Sequence, residues 1–357
     1  MAGPGGSGGR PIRVGVIGAG FIAQVAHLHS LSRIDGVQLA GLAEPHEELR
    51  DAVARRFGID RTVGDYRELL YGGGIDAMVV SLPRGAQSLV VADALDYVPA
   101  VLSEKPMAMT LAEAQRMLAA ARRSGALWGV GYMKRHDIGV RQFVKLINGL
   151  RSNGSLGPIL DVRMCDACAE YWVAKPDHVR RNGQRPVRFP EAARAPEFVP
   201  HTLTSDYEYT VNVASHDLNL LRMLFGDALT VKSFHVQRGG AQHATLATGE
   251  FLIGLTVVPA SVGHWDQRVD VVFAKGQASL VLPSPLARQA SASIVLATAR
   301  GLEEMTVPPA DHVWAFEAQT RAFIAAVASR GELEVSGEAC VGDLELIDGL
   351  WRKVELN

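Results

Sequence analysis

A chain of 357 residues is longer than one ordinary domain and suits two, each with enough interior for its own core. Apolar residues make up 48% and charged residues 21%, with a formal net charge of −2, a balance that excludes a disordered chain and offers no electrostatic footing for nucleic acid. Three cysteines cannot build a disulfide framework, and no run reaches the ~18 apolar residues of a membrane span, so the expectation is a soluble cytoplasmic protein with a small-molecule ligand.

Residues 1–10 are glycine-rich and lack the apolar core of a secretory signal, which predicts a flexible tail. Ile12-Arg13-Val14-Gly15-Val16-Ile17 then reads as a β-branched strand, followed by Gly18-Ala19-Gly20-Phe21-Ile22-Ala23 and apolar residues at helical spacing, Phe21, Val25, Leu28 and Leu31. In such a strand, turn and helix, Gly18 permits the turn, Gly20 lets backbone approach a pyrophosphate, and small Ala23 lets the helix sit close on the strand. The N–H groups at the helix start are free for phosphate. The next strand, Val37–Ala43, ends at Glu44, an acidic residue placed to accept from the adenosine ribose hydroxyls and to repel a 2′-phosphate. The expected cofactor is NAD.

Helices and apolar strands continue to alternate: Ala77–Leu82 closed by Pro83, a helix over 86–95, the strand Ala100-Val101-Leu102, a helix over 111–124 between Thr110 and Gly125, and Trp128–Gly131. Apolar strands alternating with helices predict a doubly wound parallel sheet, a Rossmann domain over residues 11–131. Ser103-Glu104-Lys105-Pro106 then falls at the carboxyl end of a sheet strand, the edge where open parallel sheets bind ligands. A lysine there can exchange a proton with a substrate hydroxyl.

Beyond Gly154–Pro158 the periodicity changes. Partly alternating runs at 159–165, 229–237, 244–258, 268–273, 278–282 and 293–297 predict a large, mainly antiparallel open sheet in an α+β domain over residues 132–357. A helix over 212–226 carries Asn212 and His216 four residues apart on one face, and Asp217 about a quarter-turn away. His216 suits acid or base work near neutral pH. The proline-rich segment over 172–204 is long enough to be a substrate cover or an oligomer contact. Around it, Asp166, Glu170, Tyr171, Asp206 and Glu208 suggest an acidic pocket for a hydroxylated, cationic ligand such as an amino sugar, aminocyclitol or aminoglycoside. Cys165 and Cys168 have metal-ligand spacing but no second ligand pair, so no metal is expected.

Several ordered motifs together resemble the Gfo/Idh/MocA family, named for glucose-fructose oxidoreductase, inositol dehydrogenase and rhizopine catabolism. They are Gly18–Ala23, Asp65–Leu70, Ile75–Pro83, Glu104–Ala108, Gly131–Arg135 and the terminal helix over 337–348. The resemblance implies an NAD-dependent dehydrogenase acting on a secondary alcohol of a sugar, cyclitol or amino sugar. Cofactor contacts would come from Gly18, Gly20, Phe21, Ile22, Ala23, Glu44, Ser81, Leu82, Pro83, Glu104, Lys105 and Arg135. Lys105, His216 and Asn212 would be the catalytic group, and a homodimer or homotetramer would form through the open sheet. There are departures: Gln87 stands where the family often has histidine, Met133 where it often has a polar residue, and Asn212 and Asn219 where it has acids. The last two shift proton handling towards Lys105. Two other family roles stay open, an NAD-dependent glycosidase with transient oxidation and a non-catalytic NAD-binding regulator. The terminal helix is expected to pack back on the first domain.

Overall fold

The computed structural model describes residues 10–168, 177–181, 194–260 and 265–356; Glu170, Tyr171 and most of the 172–204 segment lie outside them. Six short strands form the first sheet: β1 (Ile12–Ile17), β2 (Val37–Ala43), β3 (Thr62–Val63), β4 (Ala77–Val80), β5 (Ala100–Ser103) and β6 (Leu127–Val130). Their order is β3-β2-β1-β4-β5-β6, and every pairing is parallel. All four residues of β4 and of β5 are buried, because helices cover both faces of the sheet. The chain winds outward from β1 to β3 and returns to β4, which opens a crevice at the carboxyl ends of β1 and β4. Arg10, read as the end of the tail, is held to the fold by two hydrogen bonds to Asp76, at 2.6 and 2.7 Å.

The second sheet has nine strands: β7 (Ile159–Cys168), β8 (Thr230–Val236), β9 (Gln242–Ala247), β10 (Leu252–Val257), β11 (Trp265–Phe273), β12 (Gly276–Leu282), β13 (Ser293–Thr298), β14 (Gly301–Met305) and β15 (Val354–Leu356). Their order is β14-β13-β12-β11-β7-β10-β9-β8-β15, antiparallel except for the β10–β7 and β15–β8 pairs. The run read as one strand over 244–258 is split between β9 and β10, which pair antiparallel across a tight turn. Burial alternates along β11 and β12, so one face of the sheet carries the core and the other is open.

Between the sheets runs a helix longer than the sequence pattern indicated. It begins as Thr204–Tyr209, loosens into a π-helical stretch, Thr210–Ala214, and continues as Ser215–Phe225. Tyr207, Val211, Ala214, Leu218 and Leu221 are its buried stripe. The terminal helix Gly337–Trp351 packs on both this helix and Leu111–Ser124. It is locked by Asp343, whose buried carboxylate accepts from Arg222 at 2.5 Å and from Asn219 at 2.7 Å. No helix among the described residues is long and apolar enough to cross a membrane.

Candidate active site

A cleft of about 1090 Å³ runs from the glycine turn to the central helix, close to the upper end of the roughly 300–1,000 Å³ usual for ligand pockets. Its first half is built by the crossover between β1 and β4. Gly18 has φ +94°, and a Cβ there would stand 2.2 Å from the Ser81 carbonyl oxygen, so only glycine allows the turn to meet β4. A Cβ on Gly20 would meet nothing within 4 Å, so it would project into the space a pyrophosphate needs. Phe21, Ile22, Ser81, Leu82 and Pro83 line this half, while Ala23 is fully buried as the first residue of the helical stretch Ala23–Leu28. Donors at a helix start, an absent side chain and an acid at the end of β2 together fit a dinucleotide.

Lys105 sits at the junction of the two halves. Its backbone is held by buried Gln87, whose side-chain amide donates to the carbonyls of Glu104 and, at 2.7 Å, of Pro106. The substitution of glutamine for the family's histidine therefore supplies a support for the motif. Glu104 accepts from the Lys105 backbone N–H at 3.2 Å and pairs with buried His27 at 2.8 Å. Lys105 Nζ donates to the backbone oxygen of Asn212 at 2.9 Å and to its Oδ1 at 3.1 Å. Burial lowers the lysine's pKa from 10.5 to about 8, against the pull of Glu104 and with help from Lys134 and Arg84.

Asn212 thus orients the lysine. Among the described residues no hydrogen bond holds the imidazole: its Nδ1 is buried without a partner there, and its ring is set edge-on to Tyr132 at 5.7 Å. Burial first, then Lys105 and Lys134, push the His216 pKa well below its ordinary value, so the ring is neutral at physiological pH. Asp217 does not serve His216 either. Its Oδ1 accepts from Gln267 Nε2 at 2.6 Å, the same nitrogen donates to Asp166 at 3.0 Å, and Lys134 Nζ donates to Gln267 Oε1 at 2.5 Å. One buried amide therefore joins a lysine to two carboxylates. Burial, followed by the neighbouring Asp166 charge, drives the Asp217 pKa well up.

Of the four acids read as one pocket, three lie among the described residues. Asp166 lines the cleft and Glu170 lies outside the described residues, but Asp206 and Glu208 face elsewhere. Glu208 is held by Arg194 through hydrogen bonds at 2.6 and 2.7 Å. From Tyr209 onward the cleft-lining residues of this helix are Tyr209, Asn212, Val213 and His216, the i, i+3, i+4, i+7 face. Arg135 is also absent from the cleft lining, because its guanidinium donates to Asn219 Oδ1 at 2.7 Å and to the Asn219 carbonyl at 2.9 Å. Asn219, bonded in turn to Asp343, belongs to the joint between elements. Sequence reasoning missed Lys134, Tyr209 and Trp265 as cleft residues; Lys134 lay in the quoted Gly131–Arg135 motif, and the apolar spacing from Tyr207 to Val211 signalled the helix that presents Tyr209.

Such a cleft joins a dinucleotide cradle at the carboxyl edge of a Rossmann sheet to a tethered lysine. Residues 12–132 match the model of the Gfo/Idh/MocA oxidoreductase family, NAD-binding Rossmann fold. It is 27% identical over 146 residues to myo-inositol 2-dehydrogenase of Thermotoga maritima, covering 41% of this chain and 42% of the relative. It is 32% identical over 155 residues to inositol 2-dehydrogenase/D-chiro-inositol 3-dehydrogenase of Lacticaseibacillus casei, covering 43% of each. The matched stretch thus spans about two fifths of these relatives' length. The fold as a whole resembles that of a 3-ketoreductase from Actinomadura kijaniata in complex with NADP and TDP-benzene, with TM-score 0.77, 19% identity and coverage of 97% of this chain and 99% of that one. It also resembles an oxidoreductase from Agrobacterium radiobacter in complex with NAD+, L-tartaric acid and magnesium, with TM-score 0.69, 17% identity and coverage of 96% of both chains.

Proposed function

We propose that this protein transfers hydride between NAD and a carbon bearing a secondary hydroxyl or ketone in a sugar- or cyclitol-like ring. The observation that carries the reading is Lys105, tethered by Asn212 where the dinucleotide cradle meets the second half of the cleft. When bound, the nicotinamide supplies the hydride acceptor or donor. In the oxidative direction uncharged Lys105 Nζ takes the hydroxyl proton; in the reductive direction its ammonium returns that proton and stabilises the developing alkoxide. Asn212 keeps Nζ in place through two acceptors. Neutral His216 offers a hydrogen bond to the same hydroxyl without competing for the proton.

The substrate end favours neutral hydroxyls over a polycation. Among the described residues Lys105 and Lys134 both line it, against a single carboxylate beyond the cofactor half, Asp166. Tyr209 and Trp265 supply flat surfaces for a ring. Inositols and keto sugars, the substrate types in the names of the relatives, have this character. The test is to follow NADH absorbance with NAD and a panel of neutral cyclitols, sugars, amino sugars and aminoglycosides. Turnover of a neutral cyclitol or sugar that disappears in Lys105→Ala supports the reading. Glycoside cleavage without net NADH would move the chain to the glycosidases, and NAD binding without any turnover would make it a regulator.

The open face of the nine-stranded sheet is the proposed oligomer contact. Arg163, Arg268 and Val281 are exposed along it. A monomer in light scattering at micromolar concentration refutes that assembly.

A further inference from the structure

The cofactor half of the cleft is roofed from outside the Rossmann residues. Residues 177–181, in the stretch between β7 and the central helix, lie across the glycine turn. Gln24, 3% exposed, accepts from the Val179 N–H at 2.8 Å and donates back to the Val179 carbonyl at 3.0 Å. The His178 ring stands edge-on to Phe21 at 4.7 Å, and Arg56 holds Asp177 at 3.1 Å. Of this strap, Arg180 and Arg181, both exposed, line the cleft.

Arg181 Nη1 lies 2.8 Å from His46 Nε2. A guanidinium has only donors, so that ring nitrogen accepts, and the contact brings no negative charge to Arg181. Among the described residues no carboxylate pairs with Arg180 or Arg181. His46 stands two residues past Glu44, at the end of β2 where the adenosine ribose meets a Rossmann sheet. Glu44 itself is turned inward: it is 7% exposed, with one oxygen accepting from Ala19 N at 3.0 Å and the other from His46 N at 3.1 Å. At the ribose end the accessible charge is therefore positive, and the negative charge is buried and hydrogen-bonded.

We propose that Arg181, presented by the strap against His46, recognises a 2′-phosphate on the adenosine ribose, so that this chain takes NADP(H) as well as NAD(H). The proposal rests on the dinucleotide reading of the cleft. A guanidinium fork matches phosphate geometry, and a hydrogen bond between charged partners is roughly twice as strong as a neutral one. Losing it weakens binding by about 10-fold or more.

The experiment is isothermal titration of the full chain with NAD+ and with NADP+, at low and moderate salt, for wild type, Arg181→Ala and Arg181→Lys. Supporting results are an NADP+ affinity within about tenfold of that for NAD+, an NADP+/NAD+ Kd ratio that rises ~10-fold or more in Arg181→Ala and partly recovers in Arg181→Lys, and steeper salt dependence for NADP+. NAD+ binding without measurable NADP+ binding overturns the proposal and leaves the dinucleotide reading standing. An equal loss for both cofactors in Arg181→Ala overturns it by assigning the arginine to the pyrophosphate. Binding of neither cofactor overturns both.

Discussion

Replacing Lys105 with methionine separates what the residue does for catalysis from what it costs the fold. The folded protein lowers the lysine's pKa from 10.5 to about 8, which means that the native environment disfavours its charged form by about 3 kcal/mol. The sign follows from linkage. Below about pH 8 the lysine is charged in folded and unfolded chains alike, and the penalty is fully present; from about pH 8 to 10.5 the folded chain sheds its proton first and the penalty fades. Methionine fills a similar volume without the charge. It forfeits two hydrogen bonds to Asn212, which is half-buried and within reach of water, so part of that loss is recovered by solvation. Lys105→Met is therefore expected to be more stable than wild type by about 1–3 kcal/mol at neutral pH, with the gap closing as pH rises. Over the same change kcat is expected to fall about 10²–10⁴-fold, the usual contribution of a positioned proton-transfer group. Thermal melts across the pH range, alongside NADH-linked assays in both directions, measure the two effects. Wild-type oxidation should rise with pH to a plateau above about 8, and reduction should decline above the same value. The reasoning is refuted if kcat of Lys105→Met stays within about tenfold of wild type, or if the variant is less stable and the deficit persists into alkali.

Three further outcomes follow from the contacts around the cleft. Gln267→Leu removes the amide that joins Lys134 to Asp166 and Asp217, so each of the three loses a buried hydrogen bond, and a loss of about 1–3 kcal/mol is expected in denaturant unfolding. Asp343→Ala breaks the buried pair with Arg222 and the bond to Asn219; it should destabilise by ~3–5 kcal/mol while the Kd for NAD+, measured on the folded fraction, changes by less than about twofold. Gln24→Ala unpins the strap at Val179, and stopped-flow displacement should show NADH leaving about tenfold faster or more. An unchanged release rate would mean that the strap does not retain the cofactor.

The first sheet was legible because its signals are local. A strand buried on both faces must be continuously apolar, as Ala77–Val80 is, and a turn that meets a neighbouring strand's carbonyl must be glycine, as Gly18 is. The same holds for Lys105, whose place at the end of β5 follows from strand and motif alone. The second sheet was legible as a class but not as a topology. Alternation marks a half-buried strand without saying which partner it finds, so the parallel β10–β7 pair and the terminal β15 were not readable. The central helix was placed from Asn212 onward, because Asp206-Tyr207-Glu208-Tyr209 also fits a polar loop beside a proline-rich stretch. Once the helix is seen to begin at Thr204, Tyr209 takes its place on the cleft, while Glu208 is held by Arg194.

What the sequence determined by itself is the dinucleotide cradle, the lysine at its edge and the two-sheet architecture, since each depends on residue types within a few positions of one another. Only the tertiary structure decided which partner each polar side chain takes. Asn212 serves Lys105 across 107 residues, Arg135 is spent on Asn219 across 84, and Gln267 gathers Asp166 from 101 residues away. A buried polar group must find a partner wherever the packing brings one, and that choice is set by the meeting of distant elements, which no local pattern records.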